Sequence, residues 1–206
     1  MAPQAPYAHL WPASARRPLV GLAGWSGAGK TTLLEAVIPL LRAAGLRLAL
    51  IKHAHHAVDV DHPGKDSHRL RHAGADQVLL TSAARWALMA ERDRPAEPRL
   101  ADEIQRLDPE SFDLLLVEGF RHERFPRIEL IRDPGPEHPA LFPADDAIIA
   151  VAAPAAVELA TTLPRLDPDR PATVADFIIE RLLPPRESND HSLGSGHRGD
   201  TEQCPY

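Results

Sequence analysis

Eight residues near the start of the chain, Gly24-Trp25-Ser26-Gly27-Ala28-Gly29-Lys30-Thr31, follow the spacing G-x-x-x-x-G-K-[ST]. They stand between the apolar run Leu19 to Ala23 and a stretch with Leu33, Leu34, Val37, Ile38 and Leu41 at helical spacing. A strand that turns through glycines straight into a helix leaves few architectures open. Gly24, Gly27 and Gly29 admit positive φ and have no Cβ, so successive backbone N–H groups can approach one anion. The helix adds its free N–H groups and the positive end of its dipole at the same point. Lys30 then reaches β- and γ-phosphates, and the Thr31 hydroxyl is a ligand for Mg²⁺. With Trp25, Ser26, Ala28 and Thr32 completing the turn, the segment reads as a phosphate-binding loop.

The rest of the chain fits that start. Apolar runs alternate with helical patterns, which predicts an α/β fold: one P-loop NTPase-type domain with a mostly parallel sheet flanked by helices. Expected strands are Arg47 to Lys52, Leu114 to Val117, Arg127 to Ile131 and Ala147 to Val151, with a hairpin of Gln77 to Thr81 and Trp86 to Ala90. Leu114 to Val117 is apolar throughout, as a strand buried on both faces must be, and is expected beside the first strand. Short helices are expected at Asp66 to His72 and around Leu100, Ile104 and Leu107, and an amphipathic one at Val174 to Leu183. Pro39 lacks an N–H, so the helix after the loop is expected to kink or end near Ile38. Residues 1–17, Pro- and Ala-rich, and 184–206, rich in Pro, Gly and polar residues, lack periodicity and are expected to be a disordered leader and tail around a domain at 18–183.

Composition excludes several functions. The net charge of −6 is dispersed, against a nucleic-acid surface. Cys204 is the single cysteine, so neither a disulfide framework nor a cysteine metal site is available. No apolar stretch approaches a membrane span of about 18 residues and no secretory signal is evident, so a soluble, cytoplasmic protein is expected.

In an open parallel sheet, ligands gather at the carboxyl ends of strands. Glu118, ending the Leu114 run, is placed to hold Mg²⁺ or to act on the attacking water, and Gly119 leaves room for a γ-phosphate. The second strand ends in Lys52-His53-Ala54-His55-His56 and continues through Asp59 and Asp61 to Lys65, Asp66 and Ser67. Lys52 and His53 are candidate nucleotide contacts, with Lys65 and Arg69 as further balance for phosphate charge. Asp59 and Asp61 are hard oxygen donors suited to Mg²⁺. The histidines also permit a transition-metal site, or the segment is a solvated loop. Arg121, His122, Glu123, Arg124 and Arg127 form either a solvated charged loop or a basic rim for a phosphorylated ligand or a partner protein.

Taken together, Trp25 to Leu34, Leu50-Ile-Lys-His-Ala-His-His56, Asp59-Val-Asp61, Pro63-Gly-Lys-Asp-Ser67, Arg85-Trp-Ala-Leu-Met89 and Asp113 to Phe120 resemble the MobB family of molybdopterin-guanine dinucleotide biosynthesis adaptors. The resemblance runs from about Pro18 to Leu183. It implies a homodimeric GTP-binding protein with weak GTPase activity that assists the guanylyltransferase MobA when GMP is joined to a molybdopterin intermediate. By position it implies that Gly27, Gly29, Lys30, Thr31 and Thr32 hold GTP and Mg²⁺, and that Glu118 with Asp59 or Asp61 stands near the metal and the attacking water. The Asn/Thr-Lys-x-Asp segment by which many GTPases read guanine is missing, and Ala152-Ala153-Pro154 stands where family members carry Ala-Ser-Asp. The loop alone therefore specifies a nucleoside triphosphate, and guanine follows from the resemblance. Alternative functions of the same loop class are a small-molecule kinase or ATP-dependent ligase, and a metal-delivery GTPase using the histidines.

Overall fold

A computed structural model describes residues 8–11, 16–54, 61–94 and 96–184. The first strand, β1 (Leu19–Ala23), is buried along its whole length and leads through the glycine loop into helix α1 (Lys30–Ala43). Helix α1 turns Leu33, Leu34, Val37 and Leu41 to the sheet. Burying each such side chain stabilises the fold by about 1.5–3 kcal/mol. Pro39 does not end α1, which runs to Ala43. Pro39 faces solvent, so water can take the carbonyl that its missing N–H leaves open.

Strand β2 (Leu48–Lys52), helix α2 (Asp66–His72), strands β3 (Gln77–Thr81) and β4 (Trp86–Ala90), and helix α3 (Leu100–Ile104) follow. Then come β5 (Leu114–Glu118), β6 (Arg127–Leu130), β7 (Ile148–Ala152), the two-residue β8 (Arg165–Leu166) and helix α4 (Pro171–Leu182). Six strands form one parallel sheet in the order β2-β5-β1-β6-β7-β8. β1 therefore lies between β5 and β6, with Leu19 opposite Leu115 and Gly21 opposite Arg127. Helices α1 and α4 cover one face through Val37, Leu41, Val174 and Ile178, while Phe112, Phe125, Leu100 and Ile104 fill the other.

Two further features depart from the expectations. Ala8–Leu10 forms a short 3-10 turn inside the stretch read as a loose leader, and Leu10 and Trp11 are buried beside Phe112. Strand β8 was not expected, because two residues carry no periodicity. The hairpin β3–β4 stands as its own two-stranded sheet, apart from the six-stranded one. No helix among the described residues is long and apolar enough to cross a membrane.

Candidate functional site

The glycine loop is shaped by its own chemistry. Gly24 has φ 134°, and a Cβ there would lie 2.6 Å from the Leu130 carbonyl oxygen, so only glycine fits. Gly29 caps α1 in the left-handed region, and no side chain caps the helix. Within the loop Ala28 N–H donates to the Trp25 carbonyl. Among the described residues, the backbone N–H groups of Gly27, Gly29, Lys30, Thr31 and Thr32 donate to no protein acceptor. Uncapped first-turn donors beside a glycine turn are what an anion requires.

Lys30 folds back over this loop, its Nζ donating to the carbonyls of Gly24 and Trp25, each at 2.9 Å. Burial lowers its pKa from the usual 10.5; neighbouring Glu118 opposes that shift and Lys52 adds to it. A phosphate oxygen at the loop would compete with two neutral carbonyls for the ammonium, and charge would favour the phosphate.

Glu118 ends β5 directly beside β1 and β2, in register with Leu22 and Lys52. Its Oε1 accepts a hydrogen bond from Thr31 Oγ1 at 3.2 Å, and Lys52 Nζ lies 3.2 Å from Oε2 and 3.3 Å from Thr31 Oγ1. A hydroxyl and a carboxylate, both hard oxygen donors, thus meet at one point with a cation already between them. That donor set fits Mg²⁺.

Gly119 and Phe120 both take positive φ, 95° and 52°. A Cβ on Gly119 would meet His53 Cβ at 2.7 Å, so close packing against His53 demands glycine here. The His53 N–H donates to the Glu118 carbonyl at 2.8 Å, and its ring packs on Phe120 with centroids 4.9 Å apart. His53 Nε2 also lies 3.6 Å from Glu97. The structure therefore packs His53 behind Glu118, where it positions the strand end.

Asp61 is tied to the start of α2, accepting from Ser67 Oγ at 2.9 Å with Arg71 4.0 Å away. Asp59, His55 and His56 lie outside the described residues. Among the described residues no group of three or more His, Cys, Asp or Glu could hold a metal. Lys65 starts α2 as its cap residue, and Arg69 pairs with Asp66 at 3.6 Å. In the basic cluster, Arg127 is buried and spent on Asp145 at 2.8 Å and on the Arg121 carbonyl, and Arg124 pairs with Asp146. These two arginines serve the fold and do not form a free rim.

The sequence reading missed the other flank of the loop. Trp25 Nε1 donates to the Pro139 carbonyl at 2.9 Å, its ring lies 5.3 Å from His138, and Arg132 and Asp133 follow β6 after Ile131. The signal that points to Arg132 and Asp133 is the one that points to Glu118, a polar residue beyond the carboxyl end of a strand.

Comparisons with known proteins agree with this fold. The family described as molybdopterin guanine dinucleotide synthesis protein B, MobB, matches residues 19–154. The molybdopterin-guanine dinucleotide biosynthesis adapter protein of Escherichia coli (strain K12) is 47% identical over 163 residues, spanning 79% of this chain and 92% of that protein. The protein of the same name from Haemophilus influenzae is 44% identical over 165 residues, spanning 78% of this chain and 87% of its own length. The crystal structure of Bacillus subtilis MobB superposes with a TM-score of 0.62 at 27% identity, covering 80% of this chain and 98% of that one. With its loop, its sheet order and these relatives in agreement, the chain belongs to the MobB family.

Proposed function

We propose that this protein is an adapter in molybdopterin guanine dinucleotide biosynthesis that binds GTP with Mg²⁺ and hydrolyses it slowly. In this reading it serves the guanylyltransferase MobA as GMP is joined to molybdopterin. The observation that carries the nucleotide reading is the set of five free N–H groups at the loop and first helical turn, with Lys30, Thr31 and Glu118 around them. Relatives named as adapter proteins support the pathway.

Thr31 and Glu118 would hold Mg²⁺, which when bound offsets phosphate charge. Lys30 draws the β- and γ-oxygens into the loop, and the free N–H groups orient them. In this reading Glu118 would also accept a hydrogen bond from the water that attacks the terminal phosphate. Calorimetric titration of the purified chain with GTP and ATP, each with and without Mg²⁺, tests this: GTP should bind more tightly than ATP, and absence of any binding at millimolar nucleotide would overturn it.

The homodimer belongs to the same proposal. Along β3–β4, Leu79 pairs with Leu88 and Thr81 with Trp86, which puts all four on one face. Leu79, Trp86 and Leu88 are 59%, 69% and 53% exposed. A lone two-stranded ribbon is marginal in water, so an uncovered apolar face on one calls for a partner surface, here a second copy.

A further inference from the structure

A cavity of about 210 Å³ opens on the β6 side of the glycine loop, across β1 from Glu118. Trp25 to Ala28 form one wall, and Arg132, Asp133 and His138 form the others. Its walls are held in place. The Trp25 indole is tethered through Nε1 to Pro139 and lies against the His138 ring, yet remains 40% exposed. Behind it, Glu129 is buried and accepts from the backbone N–H groups of Leu141 at 2.7 Å and Phe142 at 2.9 Å, which pins the segment after His138. Arg132 passes 3.5 Å from where a Cβ on Gly29 would sit, and Asp169 steadies its guanidinium at 3.2 Å. Among the described residues, the Asp133 carboxylate makes no hydrogen bond or ion pair.

We propose that this cavity binds a flat bicyclic heterocycle carrying a 2-amino-4-oxopyrimidine edge, the edge shared by guanine and pterins. An exposed, immobilised indole offers a stacking face for such a ring. A free carboxylate matches the adjacent ring N–H and exocyclic amine, accepting from both at once. The volume is below the about 300–1,000 Å³ of sites for drug-sized ligands, so the cavity takes a ring and not a whole nucleotide. Arg132, between the cavity and Gly29, is placed to meet a phosphate attached to either molecule. The ring is either the base of a nucleotide held by the loop, which rests on the reading above, or a free pterin, which does not.

The test uses calorimetry on the full chain with guanosine, neopterin, xanthosine and lumazine. Wild type should prefer the first two. Asp133→Asn should weaken guanosine and neopterin by at least about tenfold and gain xanthosine and lumazine, because an amide both accepts from a ring N–H and donates to a 2-oxo group. Trp25→Ala should weaken all four, and inorganic tripolyphosphate should bind Asp133→Asn as it binds wild type. Neopterin excluded by saturating GTP assigns the cavity to the nucleobase; neopterin bound alongside GTP assigns it to a pterin. Both outcomes support the proposal. It is overturned if wild type binds none of the four rings, or if Asp133→Asn leaves their order unchanged while it still binds tripolyphosphate. Should tripolyphosphate and GTP fail on wild type while neopterin still depends on Asp133, the nucleotide reading falls and the cavity stands.

Discussion

Lys52 Nζ sits 3.2 Å from Glu118 Oε2, so a side-chain ammonium holds the point at which the carboxylate and the Thr31 hydroxyl meet. Lys52 ends β2 in direct register with Glu118, and the parallel ladder fixes this pairing.

In the proposed site Lys52 and Mg²⁺ would compete for one carboxylate. In Lys52→Met, half-maximal Mg²⁺ for GTP binding should fall several-fold, whereas binding of metal-free GTP in EDTA should weaken by about tenfold, the scale of one lost charge-assisted contact. Fluorescent-nucleotide titrations across a Mg²⁺ series give both numbers, and an unchanged series would remove Lys52 from the site.

Lys30→Ala should weaken nucleotide binding by about ten- to a hundredfold or more, since each hydrogen bond to a charged group contributes about 1.5–3 kcal/mol. Thermal stability should barely move, because among the described residues the Lys30 ammonium bonds only to the carbonyls of its own loop. Calorimetry and a melting curve on the same sample separate loss of site from loss of fold.

Glu118→Gln keeps the shape of the side chain and removes its charge. GTP binding should persist with weakened Mg²⁺ dependence, and single-turnover hydrolysis should slow by about tenfold or more. An unaltered rate would mean that Glu118 has no part in hydrolysis.

Charges placed on the ribbon should break the proposed dimer. Leu79→Glu with Leu88→Glu sets two like charges opposite each other on the exposed face of β3–β4. Sedimentation should then report a monomer that still binds nucleotide; a wild-type chain already monomeric at tens of micromolar would count against the dimer.

At the far edge of the sheet, hydrogen bonds from the Arg47 guanidinium and backbone N–H lower the Asp113 pKa from 3.8 to about 2. A depressed carboxylate adds stability that is present above its unfolded pKa and lost as pH falls through the folded one. Asp113→Asn should therefore melt below wild type at pH 5 to 7, with the gap closing between about pH 4 and 2. The gap should be small, because the pair is solvent-exposed.

Patterns of local origin were legible along the chain. Gly24 to Thr31 read as a phosphate loop because each position answers a local demand of backbone and charge. The fully apolar Leu114 to Val117 read as a central strand because only a strand covered on both faces tolerates that run. The hairpin was legible to the residue, since two short, largely apolar runs flank the turn Ser82 to Arg85. Glu118 was legible as the polar end of its strand.

What stayed hidden depends on side chains far apart in sequence. That His53 braces Phe120 and Gly119, that Arg127 is spent on Asp145, and that Trp25 meets His138 and Pro139 follow only once β1 lies between β5 and β6. The sequence by itself determined the fold class and the phosphate loop, because glycine φ, helix dipole and hydrophobic periodicity act within a few residues. Only the tertiary structure decided which cation shares Glu118 and which walls enclose the cavity beside Trp25, because long-range strand order brings those groups within bonding distance.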